Sequence, residues 1–120
     1  QIWSGSLREE PLTSISAGEL TLQLIERSAL MRGTEIPLTR LEFDLLSFLL
    51  RNKEKVLKRP EILEAVWKYP EDVETRTLDK HVETLRRKLG SLGPCIRTVH
   101  GVGYRFLDPQ PPLYSPSIPT

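Results

Sequence analysis

Residues 76–89, RTLDKHVETLRRKL, carry two patterns on one backbone. Leu78, Val82, Leu85 and Leu89 recur at i, i+4, i+7 and i+11, the spacing that lines one side of an α-helix. Arg76, Thr77, Lys80, His81, Thr84, Arg87 and Lys88 fall mostly on the other sides. A fold containing this segment must close a core over the apolar side and leave a cationic, hydrogen-bonding side open. Such a helix can lie in the major groove of DNA. It can also be an ordinary surface helix whose cations are solvated. The helix alone leaves both readings open, and the other segments decide between them.

The 120-residue chain has a net charge of only +1, so a nucleic-acid footprint has to come from local asymmetry. The asymmetry is there. Glu71, Asp72 and Glu74 precede the helix, which then holds five Lys/Arg against Asp79 and Glu83. The length suits one domain with tails, and 38% hydrophobic residues are enough to bury a core. Cys95 is the only cysteine, which excludes an internal disulfide and fits a reducing, cytoplasmic compartment. No run approaches the roughly 18 apolar residues of a membrane span, and no signal segment leads the chain, so no membrane partner is expected. The first residue is Gln1 rather than Met, and the chain is expected to be a piece of something longer.

Residues 1–18 mix Ser, Gly, Pro and charge without a sustained period and are expected to be linker, with Trp3 a loose aromatic in it. From Glu19 the pattern changes. Leu20, Leu22 and Leu24 alternate with Thr21 and Gln23, the period of a half-buried strand. Residues 28–31 and 35–38 are two further short extended pieces, with a turn at Gly33-Thr34, so a small antiparallel sheet is expected. Thr39 and Glu42 are spaced as a capping box. The apolar surface that follows, Leu41, Phe43, Leu45, Leu46, Phe48, Leu49 and Leu50, is wide enough for a central core helix ending near Arg51-Asn52.

Pro60 suits the first turn of a second helix, which would bury Ile62, Leu63, Val66 and Trp67. Residues 68–74 contain Pro70 and several acids and read as an exposed loop. The cationic helix follows and is stopped by Gly90 and Gly93-Pro94. Residues 96–99 and 104–107 form a terminal hairpin whose tip is His100-Gly101-Val102-Gly103. From Pro109, five prolines in twelve residues leave an extended tail. The domain is therefore expected over residues 19–108. Its class is α+β: an N-terminal antiparallel sheet, a three-helix bundle and a C-terminal β-hairpin wing, the winged helix-turn-helix arrangement.

Three stretches resemble the effector domain of OmpR/PhoB-type response regulators. They are LTRLEFDLLSFLLRNKEKVLKRPEILEAVW (38–67), RTLDKHVETLRRKLG (76–90) and IRTVHGVGYRF (96–106), and the resemblance covers about residues 19–108. It implies a transcription factor of a two-component system with a four-stranded N-terminal sheet. The recognition helix of that family contacts bases and phosphates, and its hairpin tip places a cation in the minor groove. Arg76, Thr77, Asp79, His81, Arg86 and Lys88 match the family's helix pattern, and Thr98, Gly101, Gly103, Tyr104 and Arg105 match its hairpin. The loop before the helix, here including Lys68, Tyr69, Glu71, Asp72 and Glu74, is implied as a contact surface for RNA polymerase. Head-to-tail homodimers on promoter repeats are implied as well. Glu83, Thr84 and His100 depart from the usual basic residues, so no relative's target sequence can be borrowed.

By side-chain chemistry, Thr77, Lys80, His81 and Thr84 are candidates for base edges. Arg76, Arg86, Arg87, Lys88, Thr98 and Arg105 are candidates for phosphates, and His100, Gly101 and Gly103 for the wing in the minor groove. Glu83 can accept from cytosine N4 or pair with Arg87 one turn on, and the ion pair is the expected role. An ion pair with Asp79 or Glu83 is the competing role for Arg86. Asp79 is expected to be structural, and Tyr104 to sit in the core with its hydroxyl at the rim. His81, Cys95 and His100 have no zinc-ligand spacing, and no nucleophile or phosphate-loop signature occurs. An enzyme, a cofactor and a small-molecule substrate are thus not expected. The rival reading is a winged helix used for protein–protein contact without specific DNA binding.

Overall fold

The computed structural model describes residues 13–68 and 73–109. Four strands open the fold: β1 (Ser14–Ala17), β2 (Leu20–Gln23), β3 (Ser28–Met31) and β4 (Thr34–Ile36), antiparallel in that order. Ile15 stands opposite Leu22, Ala17 opposite Leu20, and Ala29 between Leu22 and Ile36. One face of the sheet is therefore apolar and closes on the helices, and Leu20, Leu22, Ala17 and Ala29 on it are buried.

The strand β1 corrects the expectation of linker at residues 14–17, while residues 1–12 and the expected tail from 110 onward lie outside the described residues. The alternation in β1, Ile15 and Ala17 between Ser14 and Ser16, has only two apolar members, one of them a single methyl. That signal becomes decisive only when Leu20 and Leu22 lie beside it. The turn expected at Gly33-Thr34 sits one residue earlier. Arg32 (φ 54) and Gly33 (φ 82) both take left-handed backbone, as a two-residue hairpin loop requires. Trp3 lies outside the described residues.

Helix α1 (Arg40–Arg51) begins at Thr39 with both bonds of the capping box. The Glu42 amide donates to Thr39 Oγ1 at 3.2 Å, and the Thr39 amide donates to Glu42 Oε1 at 3.0 Å. It buries Phe43, Leu45, Leu46, Leu49 and Leu50 at the centre of the core. Helix α2 (Arg59–Val66) carries Pro60 in its first turn and buries Ile62 and Leu63. Helix α3 (Thr75–Leu89) ends at Gly90, whose φ of +60° suits glycine, and a 3₁₀ turn (Gly90–Cys95) absorbs Gly93-Pro94.

The chain closes with β6 (Ile96–Val99) and β7 (Gly103–Phe106). The expected two-stranded hairpin is in fact a three-stranded sheet. A two-residue strand, β5 (Leu57–Lys58), pairs with β7, giving the order β5-β7-β6. Two residues are too few to show a period, which is why the sequence hid β5. Its pairing also reassigns Gly103, expected at the DNA-facing tip. Gly103 begins β7 and is buried, and a Cβ there would stand 2.0 Å from the Leu57 carbonyl oxygen. The close approach that requires glycine is to the protein's own backbone. Gly101 (φ +76) keeps the turn role, with open space around it.

Candidate nucleic-acid interface

The apolar stripe of α3 is sealed: Leu78, Val82, Leu85 and Leu89 are all buried. Directly opposite runs an exposed line of Arg76, Lys80, Glu83 and Arg87, again at i, i+4, i+7 and i+11. Between these two lines lie two flanks, and both are used to hold the helix in place.

The wing-side flank carries Asp79 and Arg86. Asp79 Oδ1 accepts from Arg59 Nε at 3.1 Å and from the Tyr104 hydroxyl at 2.5 Å, joining α2, α3 and β7 at one carboxylate. Burial and then the Asp79 bond push the Tyr104 phenol up to about 12, so it remains a donor at any physiological pH. The Asp79 bond in turn raises the pKa of the Arg59 guanidinium. Asp79 and Tyr104 thus take the structural roles expected of them.

Arg86, expected among the phosphate contacts, is turned inward. Its Nε and Nη2 donate to the Ile96 carbonyl at 3.0 and 2.6 Å, and Nη2 also donates to Thr98 Oγ1 at 2.8 Å. Its guanidinium stands 5.7 Å from the Tyr104 ring centroid. This arginine fixes the wing to the helix, and it also takes the Glu83 carboxylate at 3.4 Å. The ion pair expected between Glu83 and Arg87 is therefore made with Arg86, and Arg87 stays exposed.

The other flank faces α1. Lys88 Nζ donates to Glu42 Oε1 at 2.6 Å, so a second expected phosphate contact is an internal strut. Burial pushes the Glu42 carboxyl up, but the Lys88 ammonium and the Thr39 cap outweigh it and hold the group below its ordinary range. His81 sits edge-on to Trp67 with ring centroids 5.3 Å apart, and its Nδ1 bonds the Thr77 carbonyl at 2.8 Å. A carbonyl only accepts, so Nδ1 carries the proton. His81, expected as a base reader, is half-buried and oriented by two internal partners. Thr84 Oγ1 donates to the Lys80 carbonyl at 3.2 Å, which uses its proton and leaves it able to accept. Lys80, His81 and Thr84, with Thr39 and Glu42, line a shallow depression of about 160 Å³ between α3 and the start of α1.

The remaining expected residues scatter more widely. Arg76 is exposed and bonds Glu74 at 2.7 Å. Thr77 is half-buried, Thr98 is exposed at the clasp with Arg86, and His100 and Gly101 are exposed at the tip. Arg105 is half-buried on β7, and its Nε is buried without a partner among the described residues. Of the expected polymerase loop, Tyr69, Glu71 and Asp72 lie outside the described residues. Lys68 borders a depression of about 450 Å³ formed with Arg40, Leu41, Asp44, Val66, Trp67 and Val73. Sequence reasoning passed over Arg97, which faces Arg105 across the hairpin. The in–out alternation after Ile96 was the signal for it.

No described helix is long and apolar enough to cross a membrane. Among the described residues, no group of three or more His, Cys, Asp and Glu side chains is placed to hold a metal ion.

Residues 33–106 match the family model described as "Transcriptional regulatory protein, C terminal". The chain is 40% identical over 98 residues to the transcriptional regulatory protein TrcR of Mycobacterium tuberculosis, a match covering 81% of this chain and 38% of TrcR. It is 43% identical over 94 residues to the transcriptional regulatory protein VxrB of Vibrio cholerae, covering 78% of this chain and 38% of VxrB. The chain thus spans well under half the length of these curated relatives. Among solved structures, the RstA DNA-binding domain of Klebsiella pneumoniae, in complex with the RstA box, superposes with a TM-score of 0.71 at 27% identity. That match covers 80% of this chain and 98% of the other. The DNA-binding domain of the response regulator AdeR, in complex with an intercistronic region, gives 0.67 at 30% identity over 76% of this chain and 95% of that one. The chain belongs to the family of transcriptional regulatory protein C-terminal domains, the winged helix-turn-helix effectors of OmpR/PhoB-type response regulators.

Proposed function

We propose that this domain binds double-stranded DNA sequence-specifically as the effector of a cytoplasmic transcription regulator, with α3 in the major groove and the β6–β7 wing over the adjacent minor groove. The observation that carries the reading is the exposed line on α3. Arg76, Lys80 and Arg87 project from a helix whose other three sides are sealed or clamped. A helix held this firmly presents cations in fixed register, which suits a ligand of regular charge spacing better than bulk water. The AdeR and RstA domains, both solved with DNA, have the same fold, which supports DNA as the ligand here.

Lys80 and Thr84, with Thr77 at their margin, take base edges, and Arg76, Arg87 and Arg105 take phosphates. His100 and Gly101 enter the minor groove, while His81, Arg86, Lys88 and Gly103 position the parts that touch DNA. One domain makes few such contacts, so two copies on repeated half-sites supply the specificity, and the loop at 68–74 is offered to RNA polymerase. Three cationic phosphate contacts per domain give a slope of log K against log[salt] of about −3. Titrating a selected duplex at several salt concentrations tests the reading. A flat response would leave a protein–protein module as the function.

A further inference from the structure

Arg97 and Arg105 stand directly opposite each other in the β6–β7 ladder. Successive strand residues alternate between faces, so both project from the side of the wing sheet opposite Ile96, Tyr104 and Phe106, which are buried against the helices. Like charges placed directly across an antiparallel pair are destabilising. Neither arginine makes an ion pair or a side-chain hydrogen bond among the described residues. Asp108 at the base of the hairpin is held by Lys53 at 3.2 Å. Carrying the β5–β7 register back one residue puts Val56, 44% exposed, beside Arg105. The Arg105 Nε is itself buried and has no hydrogen-bond partner among the described residues.

The place of the pair along the hairpin suggests what fills it. Arg97 precedes His100 at the tip by three residues, about 10 Å of extended strand. The minor groove is about 7.5 Å deep, so a tip resting on its floor brings this level of the hairpin to the sugar–phosphate backbone. Two guanidinium groups with free donors match the oxygens of one phosphate.

We propose that Arg97 and Arg105 form a phosphate seat on the outer face of the wing, gripping one backbone phosphate of the strand that borders the minor groove. The inference rests on the DNA-binding reading above and adds Arg97 as a contact. It ascribes an uncompensated repulsion in the free protein to a ligand that neutralises it.

The test substitutes Arg97→Gln in the full chain and measures thermal melting and binding to a selected duplex across a salt series. Removing one of two opposed cations should leave the melting temperature unchanged or higher. It should weaken binding about three- to tenfold near 0.1 M salt and make the salt slope shallower by less than the roughly 0.9 of a whole phosphate, because Arg105 still neutralises part of it, with base preference intact. On a duplex whose contacted phosphate is replaced by a neutral methylphosphonate, the variant and the parent should bind alike. If Arg97→Gln binds like the parent while the parent keeps a steep slope, the seat is wrong and the DNA reading stands. If the parent's own slope is flat, the DNA reading falls. A melting temperature that drops in step with affinity would make Arg97 structural and overturn the proposal, as would a variant whose only loss is self-association.

Discussion

Replacing Lys88 with methionine keeps most of the stem and removes only the ammonium that Glu42 needs. Glu42 is 4% exposed, and its Oε1 carries both the Lys88 bond at 2.6 Å and the Thr39 cap at 3.0 Å. Without Lys88 the carboxylate stays buried with only the cap to compensate it. Removing one partner of a buried pair costs about 3–5 kcal/mol. The Lys88 side chain is 30% exposed, so water screens part of the interaction, and about 2–3 kcal/mol is the expected loss near neutral pH. That is a large share of the roughly 5–15 kcal/mol that holds a domain folded.

The loss should depend on pH with a definite sign. The Glu42 carboxyl is held below its ordinary value of 4.5 in the folded protein. A depressed carboxylate contributes stability that is fully present above its unfolded pKa and lost as pH falls through its folded one. In Lys88→Met, burial is opposed by the Thr39 bonds alone, so the folded value rises and the contribution shrinks or reverses. As pH falls toward the depressed value the carboxyl is neutralised first in the variant and then in the parent, so the difference between them should shrink. Urea unfolding followed by circular dichroism, at about pH 7 and about pH 3, measures it directly, with Arg87→Met as an exposed control expected within about 0.5 kcal/mol of the parent. An equal loss at both pH values, or a loss at neutral pH no larger than the control's, would refute the role of Lys88 as the counter-charge of Glu42.

Gly103→Ala should cost more than about 2 kcal/mol in thermal melts, because its methyl would drive β5 off β7, whereas Gly101→Ala, strained only by its positive φ, should cost about 1 kcal/mol. Equal losses would mean that β5 yields. In binding selections, Thr84→Ala should change the preferred sequences while Arg87→Ala weakens all duplexes by similar factors. The same behaviour from both would erase the division of α3 into a reading and an anchoring part.

The helices were legible because each carries a signal that does not need its neighbours. The capping box at Thr39 and Glu42, Pro60 in a first turn and the four-residue apolar stripe of α3 are local facts about the chain. The short strands were not legible alike. β2 has two leucines in alternation and reads by itself, whereas β1 and β5 acquire meaning only from the strands they pair with. Pairing is a non-local property, and a four-residue or two-residue segment holds too little pattern to reveal it.

The candidate site divides in the same way. A helical wheel sorts α3 into buried and unburied positions, and it did so without error for Leu78, Val82, Leu85 and Leu89. It cannot separate a cation that faces water from one that faces a carbonyl ten residues away or a carboxylate on another helix. Arg86 and Lys88 were therefore placed among the phosphate contacts, when Ile96 and Glu42 hold them. Two of the three cations in the last turn of α3, Arg86 and Lys88, are thus spent on fixing the helix to the wing and to α1. What that leaves exposed is sparser than the sequence suggests, with Arg76, Lys80 and Arg87 on one straight line and one acid, Glu83, among them. A sparse, rigidly held line favours discrimination over raw attraction. Each remaining contact is tied to a fixed register, and few are left to bind any duplex that comes by.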